Sequence, residues 1–202
     1  MKIKHIVLLA LSLIITSCSG TISTAKKEYK ITKASQFKSH CNLNEWFLQK
    51  DTLIGHGVPM HWGVMELKKR LPKNYEIDFK VNMTEESLFE VMLNINKNKY
   101  IRAYLYQIDQ NIVIGDGTYN KNSDEYGKRG GPTLFKKTMK LENNKWYSIK
   151  IRVTNNQLYF SVDNETFLEC NLEKSNLSQQ GKLGFLTNGE TKVIDLTIKT
   201  LQ

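Results

Sequence analysis

Residues 75–82, YEIDFKVN, alternate without a break: Tyr75, Ile77, Phe79 and Val81 are apolar, while Glu76, Asp78, Lys80 and Asn82 are polar or charged. A period of two places the two sets on opposite faces of an extended chain, so the segment is a strand with one face in a core and the other in water. Pro72 and Asn74 punctuate its start. Similar runs recur at residues 62–67, 88–95, 101–106, 112–114, 146–153, 158–162, 182–186 and 192–198, and no long segment carries the 3.6-residue period of a helix. Strands at this spacing predict an all-β sandwich or barrel rather than a βαβ protein. Two hairpins are legible, one turning at Asn155-Asn156 and the next at Asp163-Asn164-Glu165.

The N-terminal residues follow a different rule. Lys2 and Lys4 precede an apolar run at residues 6–15, too short for a permanent span of a hydrocarbon core about 30 Å thick, and the run closes on Ile15-Thr16-Ser17-Cys18. This arrangement resembles the bacterial lipoprotein signal. The resemblance implies that residues 1–17 are a cleaved signal peptide, that Cys18 is lipidated, and that the membrane is a partner through the anchor. Residues 18–27 are small, polar and basic, and read as a tether to a single domain at residues 28–202. Ser19 follows the cysteine and no acidic cluster comes next, so the resemblance implies a cell-envelope location which, in a Gram-negative cell, is the outer membrane facing the periplasm.

Loss of Lys2 and Lys4 takes 29 basic residues to 27 against 20 acidic ones, so the mature chain carries about +7. The basic residues are scattered among acids instead of forming a stripe, which argues against nucleic acid as a partner. Beyond the signal only Cys41 and Cys170 remain. Two readings stand for them: a disulfide closing a long loop in an oxidising compartment, or two separate buried thiols. Residues 115–132 are long, polar and rich in glycine, and read as a loop that walls a site.

The same alternation selects candidate site residues. In residues 101–106, Ile101, Ala103 and Leu105 share one face, leaving Arg102, Tyr104 and Tyr106 on the other; in residues 88–95, Glu90, Met92 and Asn94 share a face. If those runs are neighbours, Glu90, Asn94, Arg102, Tyr104 and Tyr106 form a floor suited to sugar, with rings for the C–H face of a pyranose and charged groups for its hydroxyls. Trp62 and Asp116 complete the predicted substrate-binding set. The alternative is that the tyrosines cover a sheet edge or pack beneath the glycine-rich loop. His56 and His61, with Asp51 or Asp116, match no zinc spacing, and Asp109, Asp116 and Asp124 form no calcium-loop pattern, so neither a metal nor another cofactor is predicted.

Residues 146–169, with Trp146 opening a strand and Val162-Asp163-Asn164 in a turn, then Gly181-Lys182-Leu183-Gly184-Phe185 and the closing VIDLTI, resemble the concanavalin A-like lectin and glucanase superfamily. Trp46-Phe47-Leu48, the segment 51–57, Trp62 and the strand at residue 75 resemble its 3-keto-disaccharide hydrolase (DUF1080) branch. The resemblance implies a two-sheet antiparallel jelly-roll sandwich. It also implies either a carbohydrate-binding lipoprotein or a glycoside or 3-keto glycoside hydrolase, with Glu90 or Asp78 as acid or base aided by His56 or His61. An adaptor or structural lipoprotein is a third expectation. The paired acids of laminarinase-type enzymes, E-x-D-x-x-E, begin at Glu76 and Asp78, but Val81 stands where the second glutamate belongs.

Overall fold

The computed structural model describes residues 27–39, 45–58, 62–84, 86–119 and 129–202. Cys18, Cys41, His61 and Asp124 lie outside the described residues, as do the signal and most of the tether. The strands, in chain order, are β1 (Lys27–Lys30), β2 (Phe37–Ser39), β3 (Trp46–Gln49), β4 (Thr52–His56), β5 (Gly63–Arg70), β6 (Tyr75–Met83), β7 (Leu88–Asn96) and β8 (Lys99–Tyr106). They continue as β9 (Asn111–Tyr119), β10 (Arg129–Gly130), β11 (Thr133–Thr138), β12 (Trp146–Thr154), β13 (Gln157–Val162), β14 (Thr166–Asn171), β15 (Lys182–Thr187) and β16 (Glu190–Thr200). The only helical element among the described residues is a single 3₁₀ turn at Ala34–Gln36.

These strands form the expected two-sheet antiparallel sandwich. The first sheet runs β14-β13-β12-β6-β16-β4-β3, with β1 also paired to β16; the second runs β10-β9-β8-β7-β15-β5-β2, with β11 also paired to β9. The hairpins turn where expected: Thr154 pairs with Gln157 across Asn155 and Asn156, both in left-handed backbone at φ 50° and 62°. Between the sheets the odd residues of β6 meet Phe89, Val91 and Leu93 of β7 and Leu183 and Phe185 of β15. Phe79, Phe89 and Phe185 pack mutually with ring centroids 5.3–5.9 Å apart.

The outer faces of the two sheets differ. On the first, Glu76 binds Arg152 and Lys199, and Asp78 lies 2.9 Å from Lys199 and 3.8 Å from Lys150, a charged ladder in contact with water. Opposite charges on neighbouring strands are the expected dressing of a wet sheet face. The outer face of the second sheet carries a second apolar cluster, built from Trp62, Val64, Leu88, Met92, Ile95, Tyr100 and further side chains.

Both described ends of one expected loop are strand. Gly115, Gly117 and Tyr119 belong to β9, and Gly130 to β10, so residues 115–119 extend the second sheet. Glycine is required there by packing: a Cβ at Gly117 would lie 2.5 Å from Cζ of Tyr100 and 2.8 Å from Cγ of Arg102.

Candidate functional site

β7, β8 and β9 lie side by side in the second sheet, with Glu90 opposite Tyr104, Met92 opposite Arg102, Arg102 opposite Gly115 and Tyr100 opposite Gly117. Alternation turns Phe89, Val91, Ile101, Ala103 and Leu105 into the core, so Glu90, Tyr100, Arg102, Tyr104 and Tyr106 share the outer face. β15 adds Leu186 beside Glu90, and β5 adds Val64 and Glu66. Trp62 joins the same apolar cluster. The lack of a side chain at Gly117 lets Tyr100 and Arg102 lie along the sheet toward Glu90 instead of standing off it, while Gly115 clears the Pro132 carbonyl of the neighbouring segment.

Glu90 is the centre of this face and is 0% exposed. Tyr100 donates its hydroxyl to Glu90 Oε1 at 2.6 Å, while Arg102 donates Nε and Nη2 to Oε2, each at 2.8 Å. Arg102 Nη1 donates to the Gly131 carbonyl at 2.7 Å, and the guanidinium lies 4.6 Å from the Tyr104 ring centroid. Gly130, at φ +91°, holds a backbone conformation that side-chain-bearing residues disfavour, and it brings the chain past the guanidinium. A buried carboxylate is tolerable only when paired and fully hydrogen-bonded, and both oxygens of Glu90 are used. Burial, reinforced by the Glu90 charge, pushes the Tyr100 phenol well above its usual range. Burial works against the Arg102 charge, but the Glu90 carboxylate outweighs it and holds the guanidinium more firmly protonated than usual.

Of the predicted residues, Glu90, Arg102, Tyr104, Tyr106 and Trp62 come together on this face. Asn94 does not: a bulge between Leu93 and Asn96 and a φ of 54° turn it away, and it meets Tyr75 Oη at 3.2 Å and donates to the Ser178 carbonyl at 2.9 Å. Asp116 stands opposite Ile101, and alternation along β9 puts it on the face away from Arg102. Asp78 belongs to the charged ladder of the other sheet, and His56 is exposed on β4, stacked on Phe47 at 5.6 Å. Glu90, Asp78 and His56 are therefore not assembled at one place. Cys170 is a free, buried thiol on β14. Among the described residues no three histidine, cysteine, aspartate or glutamate side chains cluster to hold a metal ion.

The sequence reading missed Tyr100, Tyr119 and Glu66. Tyr100 and Tyr119 are fully buried members of the face. Glu66, 4% exposed, accepts Lys182 Nζ at 2.7 Å. The parity that selects Arg102 and Tyr104 also selects Tyr100, once β8 is started at Lys99 instead of Ile101. Glu66 was hidden because both faces of β5 are apolar around it.

No family model and no curated protein matches the sequence. In three dimensions the chain is similar to the carbohydrate binding module CBM66 from Bacillus subtilis, at 10% identity over 83% of this chain and 92% of that one, with a TM-score of 0.59. It is similar to a candidate glycosyl hydrolase from Parabacteroides distasonis ATCC 8503, at 13% identity over 83% of this chain and 89% of the other, TM-score 0.60. It is also similar to a Bacillus subtilis protein of unknown function with a galectin-like fold, at 10% identity over 89% and 97% of the two chains, TM-score 0.66. At these identities the likeness is one of fold alone, a two-sheet antiparallel β-sandwich.

Proposed function

We propose that the protein is an envelope lipoprotein, anchored through Cys18, that binds carbohydrate on the outer face of its second sheet. The observation that carries this reading is the aromatic composition of a face that an ordinary sandwich leaves polar. Trp62, Tyr104 and Tyr106 gather there around a guanidinium held rigid by Glu90. Rings offer flat apolar area to the C–H face of a sugar, and a pre-oriented cation lets hydroxyls bind without first ordering a long side chain. The proteins similar in fold include one described as a carbohydrate binding module, which supports the same reading.

Binding fits the geometry better than hydrolysis of the 3-keto-disaccharide type. Glu90 has both oxygens committed to Tyr100 and Arg102, so it has no free position from which to protonate a leaving group, and Asp78 is across the sandwich. The test is a glycan array with the full chain, followed by calorimetry on the best ligand. Tyr106→Ala should weaken binding at least about tenfold, the loss of one stacking ring, with a melting temperature close to the parent; Trp62→Ala should weaken it as much and, because Trp62 is packed within the apolar cluster, also destabilise the fold by about 3–5 kcal/mol. No glycan signal, or variants that bind like the parent, would refute the site. Turnover of a glycoside that disappears in Glu66→Gln or Glu90→Gln would replace binding with hydrolysis.

A further inference from the structure

A second concavity lies where the chain enters the domain, away from the face just described. β1 pairs with the end of β16, setting Lys27 opposite Thr200 and Tyr29 opposite Ile198, and β5 of the other sheet passes alongside. Between them is a cleft of about 270 Å³ whose floor is Leu67, Leu71, Pro72 and Ile198. Its rim is Lys27, Lys69 and Arg70, all exposed, with Lys69 Nζ 4.6 Å above the Tyr29 ring. Lys68 and Lys73 flank the rim in sequence and are exposed as well. On the outer face of the first sheet every lysine or arginine near Glu76 and Asp78 is paired. Among the described residues none of Lys27, Lys69 and Arg70 is in an ion pair, so this end of the sandwich carries uncompensated positive charge.

We infer that this cleft docks an anionic phospholipid headgroup at the surface of the membrane that holds the chain, with the phosphate among Lys27, Lys69 and Arg70 and the first glycerol and acyl carbons against the apolar floor. The inference rests on the lipid-anchor reading, which supplies the geometric argument. Cys18 and Lys27 are nine residues apart, a covalent reach of at most about 30 Å and about 15–18 Å for a flexible coil. An anchor at Cys18 therefore keeps β1, and the cleft it walls, within one tether length of the headgroups. Each basic residue near an anionic leaflet contributes about 1 kcal/mol of attraction, or about fivefold in partitioning. A tether this short and a rim this basic give the domain a preferred orientation, with the β1 end down and the outer face of the second sheet free for its ligand.

The test uses the full chain as matured by a bacterium, placed on vesicles of phosphatidylcholine with or without phosphatidylglycerol. Amine acetylation read by mass spectrometry should be several-fold slower at Lys27 and Lys69 on the phosphatidylglycerol vesicles, unchanged at Lys174 beyond the β14 edge, and the difference should vanish in Arg70→Glu and at raised salt. Equal acetylation on both kinds of vesicle would overturn the inference. Flotation at high salt reads the anchor separately. If the chain fails to float there, the Cys18 reading falls, and the cleft is then judged by flotation at low salt on phosphatidylglycerol alone. Loss of about 25-fold in the Lys69→Gln/Arg70→Gln double variant would uphold it, and equal flotation of parent and variant would overturn it.

Discussion

Glu90 shows how one carboxylate can be structural while sitting in the middle of a binding face. Its charge is fully buried and survives because Arg102 and Tyr100 occupy both oxygens. Removing one partner of such a pair leaves the other charge buried and alone, so Glu90→Ala should cost about 3–5 kcal/mol, whereas Tyr100→Phe, which deletes one hydroxyl, should cost about 1–3 kcal/mol. Urea unfolding of the two variants checks the order, and a cost for Glu90→Ala no larger than for Tyr100→Phe would contradict the pairing. Cys170 gives a second expectation at this scale. Burial pushes its thiol up to about 11 from an ordinary 9.0, so the folded state disfavours the thiolate. Its contribution to stability is complete below pH 9 and is lost as the pH climbs toward 11. Cys170→Ser should therefore have a flatter alkaline limb than the parent in urea midpoints measured across that window, and the native thiol should resist thiol reagents at neutral pH.

At the scale of elements, the strands legible in the sequence were those with one wet face. β6 and β12 alternate cleanly because their outer residues meet water and each other's charges, and their predicted and observed limits coincide at the start and differ by one residue at the end. The second half of β9 was read as loop because glycine at residues 115 and 117 is the usual mark of a turn; here Gly117 clears space for Tyr100 and Arg102 from the next strand and Gly115 for the Pro132 carbonyl, long-range demands that no local pattern carries. Asn94 failed for a related reason. A bulge breaks parity at the end of β7, and nothing in the Leu93-Asn94-Ile95-Asn96 sequence around it announces the extra residue. Both features can be tested. Gly117→Ala drives a Cβ into the Tyr100 ring and should destabilise by about 1–3 kcal/mol while weakening any ligand that depends on Arg102. Asn94→Ala loses the Tyr75 and Ser178 contacts in a left-handed backbone and should cost about 2–3 kcal/mol, with ligand affinity unchanged, because Asn94 is not on the face. A large affinity loss in Asn94→Ala would restore it to the site.

On the scale of the whole molecule, the two outer faces divide the work of a sandwich. The second sheet is apolar on both sides, which suits a face that receives a ligand; the first sheet keeps its outer side soluble with a ladder of ion pairs. That ladder ties stability to pH through Glu76. Burial on its own would raise this carboxyl, but the Arg152 hydrogen bond and the charges of Arg152, Lys150 and Lys199 pull it below its ordinary value. Lys199 is shifted the other way, held protonated chiefly by its hydrogen bond to Asp78 against the opposing effect of burial. A carboxyl depressed in the folded state adds stability above its ordinary range, and that stability is lost as the pH falls through the folded value. Arg152 and the lysines are half-exposed, so salt should reduce the effect. Acid unfolding followed by circular dichroism should therefore show a steeper limb below about pH 4.5 in the parent than in Glu76→Gln, with the two curves drawn together by added salt. The same substitution lies across the core from Tyr104 and Trp62, so glycan affinity at neutral pH should be unaltered. A Glu76→Gln protein whose acid limb matches the parent would mean that the ladder is only a solvated surface, and that acid stability is governed elsewhere.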